Sequence, residues 1–149
     1  MNIAYFIRPR AHIACLYDDF SLRQGLEKMR FHGYSAIPVV TRENCYIGTV
    51  SEGDFLWYLV DTSPDELKKV ELSSIEDVRI RDVLRLDKHP PVRITATMEE
   101  LLEHALHQNF VPVIDDLSHF IGIITRQDIL RYFQTQAPQN KSATEENTL

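Results

Sequence analysis

The sequence predicts an α+β fold built from two repeated strand–helix–strand–strand–helix units packed sheet to sheet. Three observations carry that expectation. Residues 38–59 lie on residues 112–133 without a gap, PVVTRENCYIGTVSEGDFLWYL on PVIDDLSHFIGIITRQDILRYF, with seven of 22 positions identical. Background composition would give about one or two identities. An amphipathic helical pattern precedes each copy, and turn chemistry interrupts each copy at the same place. A unit of about 50 residues is too small to bury a core alone, so two must close on one another.

The elements follow in order. Short extended runs at 12–17 and 91–94 open the units. SLRQGLEKMRFHG (21–33) and TMEELLEHALHQN (97–109) each begin with a hydroxyl suited to an N-cap. Leu22, Leu26 and Met29 recur at i, i+4 and i+7, as do Met98, Leu102 and Ala105, which marks a helix with one buried stripe. Gly33 and Asn109 stand where a helix C-cap takes a left-handed residue. AIPVV and FVPVI are strands with proline near their start. TRENC and DDLSH are turns, and YIGTV and FIGII return as the second arms of hairpins. A last helix runs over 51–60 and over 125–134. The first unit thus spans 1–60 and the second 89–135. The connection, 61–88, is expected to be partly helical: PDELKKVE has Pro at N1, and SIEDVRIRDVL has a Ser cap. Residues 136–149 hold almost no core-forming side chains and are expected to be a disordered tail.

Composition narrows the function. The chain has 149 residues, 44% hydrophobic and 26% charged, with a net charge of −6. That balance argues against a nucleic-acid partner, which calls for a basic face. The start MNIAYFIRPR is not a secretory signal, and no run approaches the ~18 apolar residues of a membrane span, so a cytoplasmic location is expected. Cys15 and Cys45 match no metal or redox spacing and are expected as buried free thiols. His104 and His107 share a helix face but lack a third ligand. Asp115 and Asp116 belong to a turn. Trp57, Tyr58, Tyr132 and Phe133 fall on the last helix of each unit, as core or as a dimer face. No nucleophile–base pair, glycine-rich phosphate loop or zinc signature appears, so no enzyme activity is expected.

One motif remains. GTVSEGD (48–54) returns as GIITRQD (122–128), a hydroxyl three residues before an aspartate in both. Ser51 and Thr125 read as N-caps. A capping box prefers the longer Glu or Gln at the third position, so Asp54 and Asp128 hint at another partner. A carboxylate accepts two hydrogen bonds from adjacent hydroxyls, as ribose offers. The helix N-terminus beside it suits phosphate.

On these motifs the chain resembles a tandem pair of CBS domains, named after cystathionine beta-synthase and called a Bateman module, over about residues 1–135. The resemblance implies two sheets related by a pseudo-twofold axis. Between them lie two clefts that take adenosine compounds: AMP, ADP, ATP, S-adenosylmethionine or cyclic di-AMP. It implies ribose contacts at Asp54 and Asp128, and ribose or phosphate contacts at Ser51 and Thr125. Backbone groups of Ala36, Ile37, Phe110 and Val111 would meet the adenine edge. Arg126 in the second motif would stand beside phosphate, whereas the first motif has Glu52, which repels it. The Asp128 cleft is therefore expected to bind better, with the Asp54 cleft weak or borrowing Arg8, Arg10 or His12. The expected function is a regulatory module that needs no cofactor, binds an adenine nucleotide and signals to a partner protein. The alternative is a non-binding dimerisation scaffold. The resemblance also implies a homodimer, with Phe55, Leu56, Ile129 and Leu130 either as contacts or as monomer core.

Overall fold

The structure, a computed structural model, describes residues 2–61, 76–86 and 88–146. A 3-10 turn at Ile3–Phe6 leads into strand β1 (Arg8–Pro9), and β2 (Leu16–Tyr17) precedes helix α1 (Leu22–His32). A hairpin of β3 (Ala36–Val40) and β4 (Tyr46–Ser51) then feeds α2 (Glu52–Asp61). The second half contains a short α3 (Ile80–Val83), β5 (Val92–Arg93), α4 (Met98–Ala105), the hairpin β6 (Phe110–Ile114) and β7 (Phe120–Thr125), and α5 (Arg126–Glu146). Two sheets result, ordered β2-β3-β4 and β1-β7-β6-β5.

Local chemistry explains the repeat. The Ser21 hydroxyl accepts from the Gln24 N–H at 3.1 Å and Gln24 accepts from the Ser21 N–H at 2.9 Å, a full capping box. Gly33 ends α1 in the left-handed region at φ 68°. Asn44 and Ser118 close the two hairpins with matching φ of 65° and 66°. These turns also meet each other. The Tyr46 N–H donates to the Ser118 carbonyl at 3.1 Å and the Phe120 N–H to the Asn44 carbonyl at 2.8 Å. Behind them Cys15, Val40, Tyr46 and Phe120 form the apolar layer between the sheets.

The two cores are exchanged at their edges. Ile3 and Phe6, from the start of the chain, pack with Leu101, Val111, Ile124 and Ile129 of the second unit. Ile80 and Val83 pack with Leu16, Leu22, Ile37 and Phe55 of the first. β1 accordingly pairs antiparallel with β7, Arg8 opposite Ile123 and Pro9 opposite Gly122. Gly122 allows this crossing, since a Cβ there would overlap the Arg8 carbonyl oxygen. On the first sheet the corresponding Gly48 faces the Leu84 side chain.

Several expectations change. Helix α4 stops at Ala105, and Asn109 does not take the left-handed conformation. The Arg126 guanidinium instead donates to the carbonyls of Ala105 at 2.7 Å and Leu106 at 3.3 Å, which serves the open helix end. Among the described residues of SIEDVRIRDVL, only Ile80–Val83 is helical. Arg79 is extended and bridges to Ser21, and its N–H is received by the Asp82 carboxylate at 3.0 Å. PDELKKVE lies outside the described residues. Helix α5 continues through Glu146, into the stretch expected as a tail. Gln, Ala, Lys and Glu propagate a helix once nucleated, whether or not they build a core. No helix among the described residues is long and apolar enough to cross a membrane. Phe55 and Ile129 are core, while Leu56 and Leu130 are 60% and 64% exposed.

Candidate functional site

The hairpin ladder sets Ala36 opposite Ser51 and Phe110 opposite Thr125. The start of each first strand therefore lies beside the hydroxyl that caps the following helix. Between the sheets, on the Thr125 side, is a cavity of about 430 Å³. Ala36, Pro38, Phe110, Ile123 and Thr125 form its sheet walls, and Tyr34 contributes from the loop after α1. The opposite wall is the N-terminal segment, including Arg8, Pro9 and His12. Ile37 and Val111 lie behind this surface with their side chains fully buried.

Asp128, in the first turn of α5, lies behind Arg8 and lines an adjoining groove, its N–H donating to the Thr125 hydroxyl at 3.1 Å. Its carboxylate is held by Arg8 through two bonds, from Nε at 2.7 Å and Nη2 at 2.9 Å. The Arg8 hydrogen bond, aided by Thr125 and Arg131, holds the Asp128 carboxyl below the usual range despite partial burial. The Arg8 and Asp128 side chains are 44% and 23% exposed, so this ion pair is open to exchange.

Asp54 has a different environment. Its side chain is completely buried. One carboxylate oxygen accepts from the Ser51 N–H at 2.8 Å and the other from Lys88 Nζ at 3.3 Å. Burial opposes its ionisation, but the Ser51 bonds and Lys88 outweigh that and keep the carboxyl low. The hint that this carboxylate faces a ligand gives way to a closed capping box. Lys88 opens a strap pinned at three successive residues. The His89 carbonyl accepts from the Tyr46 hydroxyl at 2.8 Å and the Pro90 carbonyl from Gln108 Nε2 at 3.1 Å. Thr49, the counterpart of the cavity residue Ile123, is buried against the Tyr46 hydroxyl at 2.8 Å. His89 Nε2 and Gln108 Oε1 are buried without a bond to any described residue.

The charged residues are redistributed relative to expectation. Arg126 caps α4 and is absent from the cavity wall. Arg8 and His12 serve the Thr125 cavity, not the Asp54 side, and Arg10 donates to Asn44 Oδ1 at 3.1 Å in the first hairpin turn. Among the described residues, no group of three His, Cys, Asp or Glu side chains could hold a metal. The Arg8–Asp128 pairing, across 120 residues, was missed by sequence reasoning. A faint signal exists: Ile3, Phe6, Ile7 and Arg8 recur 77 residues later as Ile80, Val83, Leu84 and Arg85.

The family model for the CBS domain matches two segments of the chain, residues 6–61 and 75–135. The chain belongs to the CBS-domain family. The curated relatives of this CBS pair include inosine-5'-monophosphate dehydrogenase of Methanocaldococcus jannaschii, 30% identical over 115 residues. That match takes in 76% of this chain but 20% of the dehydrogenase. The chain spans about half the length of another relative, the uncharacterized protein MK0525 of Methanopyrus kandleri, at 49%. Among solved structures, CbpB in complex with c-di-AMP superposes with a TM-score of 0.82 and 22% identity, covering 96% of this chain and 91% of CbpB. CBSX2 in complex with AMP gives 0.71 and 23%, covering 91% and 98%. At these identities the likeness shows a shared tandem CBS fold.

Proposed function

We propose that this CBS pair is a regulatory module that binds an adenine nucleotide in the cavity bounded by Ala36, Phe110, Thr125 and Arg8. One observation carries the reading: a cavity of ligand size whose Arg8 wall holds the ionised Asp128 carboxylate of the adjoining groove in a pair that can be exchanged. The apolar walls suit a flat base. Asp128 then turns from Arg8 to two vicinal ribose hydroxyls, and Arg8 turns to phosphate. The exchange is favourable in magnitude. A half-exposed ion pair contributes about 0–1 kcal/mol, whereas each hydrogen bond to a charged group contributes about 1.5–3 kcal/mol. The ligands named for the similar CbpB and CBSX2 structures, c-di-AMP and AMP, fit this class.

Because the N-terminal segment forms one wall, a bound nucleotide alters how that segment is held. The module signals to a protein partner by preferring one of the two arrangements. The Asp54 cleft, filled by Lys88 and the Tyr46 hydroxyl, contributes no second site. Calorimetric titration of the intact chain with AMP, ADP and cyclic di-AMP tests this. At least one should bind with one site per cavity, Asp128→Asn should weaken it about tenfold or more, and Lys88→Met should leave affinity within about twofold. Absence of binding by all three, or a reversed order of the two variants, would overturn the reading.

The apolar groove of about 770 Å³ between α4 and α5, with Leu106 and Leu130 exposed, favours a homodimer through the helical faces. Sedimentation of wild type and Leu130→Asp checks this: a dimer that becomes monomeric supports it, and a wild-type monomer rejects it.

A further inference from the structure

The two hairpin turns meet at a cross-strand pair, Cys45 opposite His119. These residues hold the same position in the two repeats, so the junction of the hairpins sets equivalent residues face to face. The Tyr46 N–H donates to the Ser118 carbonyl and the Phe120 N–H to the Asn44 carbonyl. That pattern makes Cys45–His119 the non-hydrogen-bonded kind of antiparallel pair, with both side chains on one face and Cβ atoms about 4.5–5.5 Å apart. A thiol and an imidazole are thereby neighbours. Asp115 completes the group. Its Oδ2 lies 3.2 Å from His119 Nδ1, while Oδ1 accepts the Leu117 and His119 N–H groups at 2.8 and 2.9 Å. A carboxylate against Nδ1 fixes the hydrogen there and leaves Nε2 as a proton acceptor. Cys45, expected as a buried thiol, is only partly buried, and the His119 side chain is 42% exposed. The neighbouring guanidiniums are committed elsewhere, Arg42 to Asp19 and Arg10 to Asn44 Oδ1.

We propose that Cys45 is a modification site that undergoes exchange with a low-molecular-weight disulfide, with His119 as its proton acceptor and Asp115 as the residue that orients His119. The Cys45 thiol passes its proton to His119 Nε2, and Sγ attacks one sulfur of the disulfide. A new S–S bond forms as the old one breaks, and the departing thiolate takes the proton back from His119. The disulfide must come from outside the chain. Cys15, the second of two cysteines, lies in the apolar layer between the sheets with Tyr46. Strand alternation turns Cys45, one residue before Tyr46, to the other face. A group attached to Cys45 stands beside the two hydrogen bonds that join the hairpins.

Incubation of the intact chain with glutathione disulfide, with occupancy of each thiol read by peptide mass spectrometry, tests the assignment. Cys45 should form the mixed disulfide at least about tenfold faster than Cys15. His119→Gln should slow exchange at Cys45 about tenfold at pH 7 and little at pH 9.5, because an unassisted thiol is mostly protonated at the first pH and mostly ionised at the second. A His119 that only supports the turn would give one ratio at both. Asp115→Asn keeps an oxygen for the turn N–H groups and should also slow exchange at pH 7. Thermal midpoints equal to wild type establish that the variants fold, and if His119→Gln melts early, Asp115→Asn decides. Exchange at Cys45 no faster than at Cys15, a His119→Gln ratio independent of pH, or no slowing in Asp115→Asn overturns the proposal.

Discussion

Replacing Gly122 by alanine should unseat the N-terminal segment from the second unit. The added Cβ would overlap the Arg8 carbonyl oxygen and crowd the Ile7 Cγ2 atom at 2.9 Å. The main obstacle is backbone, held by β1–β7 pairing, and cannot rotate away. Two responses are open to the molecule. If β1 shifts locally, the cost is that of overpacking, about 1–3 kcal/mol. If the segment detaches, Ile3 and Phe6 lose their burial, about 1.5–3 kcal/mol each. The cheaper response sets the expected loss, about 1–3 kcal/mol, from which the smaller unfolded-state entropy of alanine subtracts about 0.4–1 kcal/mol. Gly48→Ala is the internal control. There the nearest atoms belong to the Leu84 side chain, at 2.9–3.2 Å, and a rotamer change relieves them, so about 1 kcal/mol or less is expected. Urea denaturation followed by far-UV circular dichroism reads both. A Gly122→Ala midpoint equal to wild type, or a larger loss in Gly48→Ala, would refute the crossing of the N-terminal segment over β7.

Two further outcomes follow from buried groups. Asp54 has a folded-state carboxyl below its unfolded value, so its contribution is present above the ordinary carboxylate range and lost as pH falls through the folded value. Urea midpoints between about pH 5 and pH 2 should fall less steeply in Asp54→Asn than in wild type; parallel curves would rule this out. Burial pushes the Cys15 thiol up to about 11, so at pH 8 about one in a thousand molecules carries the thiolate. Iodoacetamide should label Cys15 about a hundredfold more slowly in the folded than in the urea-unfolded protein, read by peptide mass spectrometry; equal rates would place the thiol at the surface.

Much of the fold is legible because it is local. Matching turn geometry at residues 41–45 and 115–119 closes hairpins whose registers agree residue for residue, and the Ser21 and Thr97 caps start helices where a hydroxyl precedes an apolar stripe. The ends of elements are less legible when a distant side chain decides them. Arg126 reaches back to the α4 carbonyls, which removes the need for a left-handed Asn109 and takes the guanidinium away from the cavity. The candidate site shows the same division. The S/T-x-x-D motif places Asp54 and Asp128 in equivalent first turns, yet residues outside the motif set their fates. Lys88 closes over one carboxylate, while Arg8 holds the other at the surface. Neither partner is close in sequence, and the matching runs at Ile3–Arg8 and Ile80–Arg85 are too short to stand out by composition.

The most direct measurement compares AMP with 2',3'-dideoxy-AMP by calorimetry on wild type and on Asp128→Asn. If Asp128 grips vicinal hydroxyls, removing them should cost wild type about tenfold or more in affinity and cost Asp128→Asn little. An equal penalty in both proteins, or none in wild type, would contradict ribose recognition by Asp128.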